Sequence, residues 1–308
     1  MTVPIQLVSE GHRVPFSKGL LTTTLTATGL PCERVLTVTM EVERQLAALP
    51  EHEIAVERLR ELVGAVLTRM EEPRYVRRYH TWIRLARQDR PVVILIGGAT
   101  GAGKSTIAAQ LADQLGIVRM VSTDSIREIM RAVLSRSLMP AIHYSSYEAG
   151  SGVRIPLGTA FDSHVVGFME QVDVVNVGVL ALLERAIEER TSLIVEGVHM
   201  VPGMLASAGA RERIKDLVLL QLVLTVDDEA LHRSHFLVRE QETSGRRAIA
   251  RYLSNFDEIR KIQGFIVERA RAQGTVVVDN VSIDDTLSLV VDALYEVIDA
   301  TEETLDGE

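Results

Sequence analysis

Lysine is scarce in this 308-residue chain: of its 33 basic residues only Lys18, Lys104, Lys215 and Lys261 are lysines, and arginine supplies the rest. A lysine kept inside a glycine-rich turn therefore carries more weight than it would in a lysine-rich protein. Cysteine is scarcer still. Cys32 stands alone and cannot form an intrachain disulfide, which fits a reducing cytoplasm. Basic charge is not in excess. A net charge of −9 and a pI of about 5.5 argue against a broad nucleic-acid-binding surface. Long apolar runs are absent too: the longest strongly apolar stretch, Leu217 to Val226, is interrupted by Gln221 and Thr225, so no membrane partner is expected. The opening residues lack the basic start and apolar core of a secretory signal. Internal repeats and low-complexity segments are also missing. With 46% hydrophobic and 24% charged residues, the chain can bury enough surface to offset its ordering entropy. These absences leave a folded cytoplasmic enzyme or binding protein.

Two parts differ in rhythm. Residues 1–88 read as a small, mainly helical domain rich in arginine. Short strands are expected over Ile5–Val8 and Arg13–Phe16, then helices over 17–28, 33–48, 51–71 and 73–88. The first of these helices is weakly encoded, because Thr22, Thr23, Thr24 and Thr26 are poor helix formers. From Pro91 onward strands and helices alternate. Val92–Ile96 is a continuous apolar run, as a strand buried on both faces requires. Arg119–Ser122, Ser192–Val195, Leu217–Thr225 and Thr275–Val278 follow as further strands. Helices are expected near 104–115, 124–136, 161–190, 227–272 with a break at Gly245, and 284–299. The fold class is therefore α/β, with a five-stranded parallel sheet covered by helices over 89–300. The acidic end, 301–308, reads as a frayed tail.

Directly after the first long strand stands Gly98-Ala99-Thr100-Gly101-Ala102-Gly103-Lys104-Ser105, followed by helix-forming Thr106 and Ile107. This is G-x-x-x-x-G-K-[ST] in its required strand–loop–helix setting. Glycines let successive N–H groups turn inward around a phosphate, and the helix N-terminus adds partial positive charge. Lys104 reaches phosphate oxygens and the Ser105 hydroxyl ligates Mg²⁺. ATP and Mg²⁺ are thus the implied cofactors. No N-K-x-D motif for guanine is present.

The next strand ends in Ser122-Thr123-Asp124-Ser125, where Asp124 either meets an acceptor hydroxyl or caps the following helix. The third ends in Val195-Glu196-Gly197-Val198-His199. An acidic residue there is the Walker B arrangement that serves Mg²⁺, with a structural carboxylate as the alternative. Arg127 and Arg131, four apart, share a helix face that could grip an anion. The cluster His143-Tyr144-Ser145-Ser146-Tyr147-Glu148 has the chemistry to recognise phosphate or carboxylate. Beyond Asp227-Asp228-Glu229, Arg233, His235, Arg239, Arg246, Arg247 and Arg251 suit a lid that closes on a transferring phosphoryl group, with Gly245 as hinge. Arg233, Arg239 and Arg246 form the favoured set.

The runs IGGATGAGKSTIA, VSTDSIREIMR, LMPAIHYSSYEAG, GFMEQVDVVNVGV, LIVEGVHMVPG and HRSHFLVRE together resemble the 2-phosphoglycerate kinase family. The similarity runs from about Val14 to Asn280. It implies a P-loop kinase that moves the ATP γ-phosphoryl to the 3-hydroxyl of 2-phosphoglycerate, giving 2,3-bisphosphoglycerate and ADP. Asp124 would then orient the hydroxyl, with Arg127, His143, Ser145, Ser146 and Tyr147 near the acceptor's carboxylate and phosphate. The partner is a small phosphorylated molecule. Kinases of other polyol or sugar phosphates, such as an inositol phosphate, and a non-catalytic ATP-responsive regulator are the competing readings. The opening IQLVSEGHRVPFSKGLL resembles an ATP-cone, which implies nucleotide sensing through Arg13, Ser17 and Lys18. The alternative is that these helices pack on the kinase domain or bridge a homo-oligomer.

Overall fold

The computed structural model describes residues 5–9, 12–87, 90–154, 162–205, 208–243 and 249–306. They fall into two compact units, one of Met1–Asp89, Asp113–Gly116 and Ile298–Glu308, the other of Arg90–Ala112 and Ile117–Val297.

The first unit opens with β1 (Gln6–Ser9), β2 (His12–Pro15), α1 (Lys18–Ala27) and α2 (Cys32–Ala47). It continues through β3 (Glu53–Ala55), α3 (Val56–Met70) and α4 (Pro73–Arg87). α1 forms despite its threonines. The hydroxyls of Thr23, Thr24 and Thr26 donate back to the carbonyls four residues earlier, and Leu21 and Leu25 are buried below them. Burial offsets the weak propensity. In α2 the buried residues Val35, Val38, Val42 and Leu46 recur every three or four positions and meet Val63, Val66 and Leu67 in a common core. β3 departs from the expected 51–71 helix: Glu53–Ala55 pairs in parallel with β1, giving the order β2-β1-β3. Three residues carry no strand signal of their own, and the pairing comes from a partner far along the chain.

From Arg90 the chain runs through β4 (Val92–Gly97), α5 (Lys104–Leu115), β5 (Met120–Ser122), α6 (Thr123–Val133), α7 (Ser163–Glu188) and β6 (Leu193–Glu196), the second unit taking all of these but the last turn of α5 and, further on, the end of α12. It continues through α8 (Ala208–Ile214), β7 (Val218–Thr225), α9 (Glu229–Thr243), α10 (Ile249–Ser254), α11 (Phe256–Ala272), β8 (Val276–Asp279) and α12 (Ile283–Asp306). Two 3₁₀ segments, Ala141–His143 and Ser146–Gly152, lie between α6 and α7. The five strands are all parallel in the order β5-β6-β4-β7-β8. β4 sits at the centre and every one of its residues is buried, as its unbroken apolar run requires.

Three details differ from the sequence reading. α8 was not expected. α12 continues to Asp306, so the acidic end extends a helix where fraying was expected; its Glu and Leu residues are good helix formers. α7, with mean hydropathy 1.6 in its most apolar window, is long and apolar enough by length and composition to cross a membrane. Its Val175, Val179 and Leu183 pack against Val93 and Leu95 of β4 and Val195 of β6, and buried Gln171 and Asn176 lie in the same helix. That is the pattern of a core helix.

Candidate active site

Parallel register brings three strand ends together. Ile96 of β4 and Ser122 of β5 both pair with Glu196 of β6, so the segments after them emerge side by side at the carboxyl edge of the sheet, where α/β folds hold ligands. The first is the phosphate loop. Gly101 and Gly103 have φ of 87° and 81°, and a Cβ on either would collide with His232 and Phe236 or with Asn280. Lys104 opens α5, is largely buried, and its Nζ donates to the Ala99 carbonyl at 2.8 Å. Ser105 Oγ donates to Glu196 Oε1 at 3.0 Å. Thr100, Gly101, Lys104 and Ser105 face the cleft. Ala99 and Ala102 are fully buried behind it, and Gly98 and Thr106 lie outside its lining.

The second segment is the start of α6. Ser122, not Asp124, caps this helix, accepting from Ser125 N at 3.1 Å. Asp124 is left with its side chain 66% exposed, at the cleft and 3.6 Å from Arg127 Nε. Arg127 is mostly buried and well anchored. Its Nη1 donates to the carbonyls of Ile142 and Tyr144, and its Nη2 to Glu128 Oε1 at 2.8 Å. Arg131 pairs with the same Glu128 oxygen at 3.2 Å and does not line the cleft.

Beneath these groups runs a buried polar chain. Thr123 Oγ1 meets His199 Nδ1 at 3.0 Å, and His199 Nε2 meets Gln171 Oε1 at 3.4 Å. Gln171 Nε2 donates to the carbonyls of Ala141 and Tyr144. The segment around residue 144 is thereby tied to α6 and to the end of β6. His199 is fully enclosed, and burial pushes its pKa down from 6.5 to about 4, with the Arg127 and Lys104 charges acting the same way and Asp124 opposing. Ser145, Ser146 and Tyr147 line the cleft, as the sequence suggests. His143 does not: its Nε2 donates to the Leu134 carbonyl at 2.9 Å, bracing the segment from outside. Polar composition marked the segment but could not say which way each side chain turns.

The third group comes from the far side. Arg251 of α10 faces the cleft and is held by Glu148 through Nη2 at 2.5 Å and Nε at 3.3 Å, which raises the guanidinium's already high pKa. Next to it Tyr252 stacks on Phe236 and meets Tyr147 edge-on. Arg233 is elsewhere, its guanidinium stacked on Phe256 at 3.7 Å and outside the cleft lining. Arg239 belongs to α9, but its side chain, like Gly245, Arg246 and Arg247 as a whole, lies outside the described residues. Arg251 stood in the expected lid cluster without being singled out. Its place a few residues beyond the break expected at Gly245 was the available signal. The cleft so formed measures about 620 Å³ and collects Lys104, Ser105, Asp124, Arg127, Glu196 and Arg251.

In the N-terminal unit Arg13 pairs with Glu53 at 3.2 Å and Lys18 with Glu43 at 2.6 Å, while Ser17 caps α1 at Leu20 N.

A family model for zeta toxins matches residues 77–149. The 2-phosphoglycerate kinase of Methanothermobacter thermautotrophicus is 38% identical over 94% of this chain and 93% of its own. The chain belongs to the 2-phosphoglycerate kinase family. The family's enzyme from Methanopyrus kandleri is 34% identical over 93% of this chain and 86% of its own, and that from Pyrococcus horikoshii 32% over 95% and 94%. Among solved structures, the shikimate kinase from Acinetobacter baumannii superposes loosely, with a TM-score of 0.38 and 17% identity over 69% of this chain and 97% of that one. As a member of the 2-phosphoglycerate kinase family the chain is an ATP-using phosphotransferase, and its five-stranded sheet with a phosphate loop after the central strand is the fold such chemistry uses.

Proposed function

We propose that the chain transfers the γ-phosphoryl group of ATP to the 3-hydroxyl of 2-phosphoglycerate, yielding 2,3-bisphosphoglycerate and ADP. The observation that carries this reading is the placing of Asp124 and two anchored arginines, Arg127 and Arg251, in the cleft that holds Lys104 and Ser105. The acceptor oxygen bonds to the γ-phosphorus, the bond to the β,γ-bridging oxygen breaks, and the hydroxyl proton passes to the Asp124 carboxylate. Because the transition state is loose, Asp124 acts chiefly by aiming the hydroxyl. Lys104 offsets charge on the phosphate oxygens. Arg127, Ser145, Ser146 and Tyr147 face the acceptor's carboxylate and phosphate. Arg251 takes the lid position that the sequence suggested for Arg233.

The Ser105 hydroxyl and the Glu196 carboxylate, 3.0 Å apart at the loop, are hard oxygen donors. They suit Mg²⁺, which takes one or two protein oxygens and fills its shell with phosphate oxygens and water. Bound there, the ion would neutralise phosphate charge. Among the described residues no cluster of three or more metal-binding side chains occurs, which is compatible with such a shared shell.

Residues 1–88 we assign to nucleotide sensing, on the likeness of the opening segment to an ATP-cone. Alanine at Arg13 and Lys18 together should change how activity responds to ATP or dATP concentration. An unchanged response would remove that assignment. The acceptor is tested by ADP release with 2-phosphoglycerate against 3-phosphoglycerate, glycerol phosphates and inositol phosphates. Faster turnover on any of the others would reassign the substrate.

A further inference from the structure

Four consecutive carbonyls of the phosphate loop each receive a side-chain donor. Ala99 O takes Lys104 Nζ, Thr100 O takes His232 Nε2 at 2.8 Å, Gly101 O takes His235 Nδ1 at 2.8 Å, and Ala102 O takes Asn280 Nδ2 at 3.0 Å. The last three donors stand 132, 134 and 178 residues along the chain from their acceptors. We propose that His232, His235 and Asn280 are positioning residues that set the phosphate loop for nucleotide from its outer side.

The geometry of a trans peptide carries the argument. Its C=O and the following N–H point in opposite directions. Holding the carbonyls of Thr100 and Ala102 outward therefore aims the N–H groups of Gly101 and Gly103 the other way, the direction a phosphate cradle needs. Glycines alone do not keep that arrangement, because their freedom makes ordering costly. External donors supply the missing constraint, and a loop ordered beforehand binds its ligand without meeting that cost on binding.

Two of these donors, His232 and Asn280, are themselves fixed. His232 is fully buried, stacked on Phe236 and edge-on to Phe256. Its Nδ1 faces Arg260 Nη1 at 3.5 Å, and Arg260 in turn donates to the carbonyls of Val226 and Asp227. A guanidinium has no acceptor, so His232 Nδ1 is the lone-pair nitrogen and the proton sits on Nε2, where Thr100 O receives it. Burial, assisted by Arg260, keeps the ring neutral, with a pKa pushed down from 6.5 to about 4. Asn280 is oriented by Thr286, whose Oγ1 donates to Asn280 Oδ1 at 2.9 Å. That contact leaves the Asn280 amide nitrogen facing the loop. The absent Cβ atoms of Gly101 and Gly103 are what let His232 and Asn280 come so close.

Backbone N–H groups that hold phosphates act on bound nucleotide before and during transfer, so their loss falls on affinity more than on turnover. In the full-length protein, His232→Leu should raise the KM for ATP and the calorimetric Kd for ADP at least about tenfold. The acceptor KM and kcat should stay within about threefold. His232→Gln, whose amide can reach the same carbonyl, should recover most of the ADP affinity. The less buried His235 gives a second pair, His235→Leu and His235→Asn, with the same ordering, and decides the matter if His232→Leu does not fold. The proposal rests only on the nucleotide half of the reading above. ADP binding requires no acceptor, so a mistaken acceptor leaves the result standing, whereas a parent protein that binds no ADP would fail that reading itself. A folded leucine variant with parental ADP affinity, or glutamine and asparagine variants as impaired as the leucine ones, overturns the positioning role.

Discussion

Ser105 Oγ donates to Glu196 Oε1 at 3.0 Å, joining the first turn of α5 to the last residue of β6. Ninety-one residues separate them in sequence, and the pairing of Ile96 with Glu196 between β4 and β6 brings their segments side by side. In the proposed reaction this buried carboxylate would exchange that hydrogen bond for a contact with Mg²⁺.

Glu196→Gln should therefore keep the fold and lower kcat by roughly 10²- to 10³-fold, the scale of losing one preorganised electrostatic contact. Lys104→Ala should do at least as much. Circular dichroism and steady-state rates measure both. Near-parental turnover in Lys104→Ala would contradict transfer at this loop.

Asp124 is expected to separate chemistry from nucleotide binding. Asp124→Asn should reduce kcat by about 10²-fold or more while changing the Kd for ADP little. Because Ser122 is the cap, the same substitution should leave α6 intact, whereas Ser122→Ala should cost about 1 kcal/mol of stability. If Asp124→Asn weakens ADP binding alone, its place is in the metal shell.

Stability should fall on mild acidification. His199 is held neutral in the folded protein, with a pKa of about 4 against 6.5 when unfolded, and His232 likewise. Between those values the unfolded chain binds more protons. The contribution is thus fully present above pH 6.5 and is lost as the pH falls toward 4, at up to about 1.4 kcal/mol per pH unit for each ring. Urea unfolding of parent and His199→Asn between pH 5 and 7 should show a shallower slope in the variant. Equal slopes would remove His199 as a source.

Arg251→Ala should cut kcat/KM for the acceptor by about 10²-fold and leave ADP affinity within about threefold. Arg233→Ala, which loses the stacking on Phe256 and sits outside the cleft lining, should cost far less activity. The reverse ranking would return the lid role to Arg233.

How much of this was legible in the sequence depended on the distance over which each constraint acts. The phosphate loop could be read because its chemistry is written in eight adjacent residues. β4 could be read because burial on both faces leaves an unbroken apolar run. β3 could not, since its three residues are held by a partner strand. His143 and Arg233 were assigned by composition, but their directions are set by Leu134 O and the Phe256 ring. His232 and Asn280 left no local trace, as their loop partners lie more than a hundred residues away.

The most direct test of the central claim is ³¹P NMR of the full-length protein with Mg-ATP and 2-phosphoglycerate. Loss of the ATP γ-resonance should match the growth of ADP and of a second phosphomonoester signal from 2,3-bisphosphoglycerate. ATP left intact, or turned over to ADP and free phosphate with 2-phosphoglycerate unchanged, would contradict it.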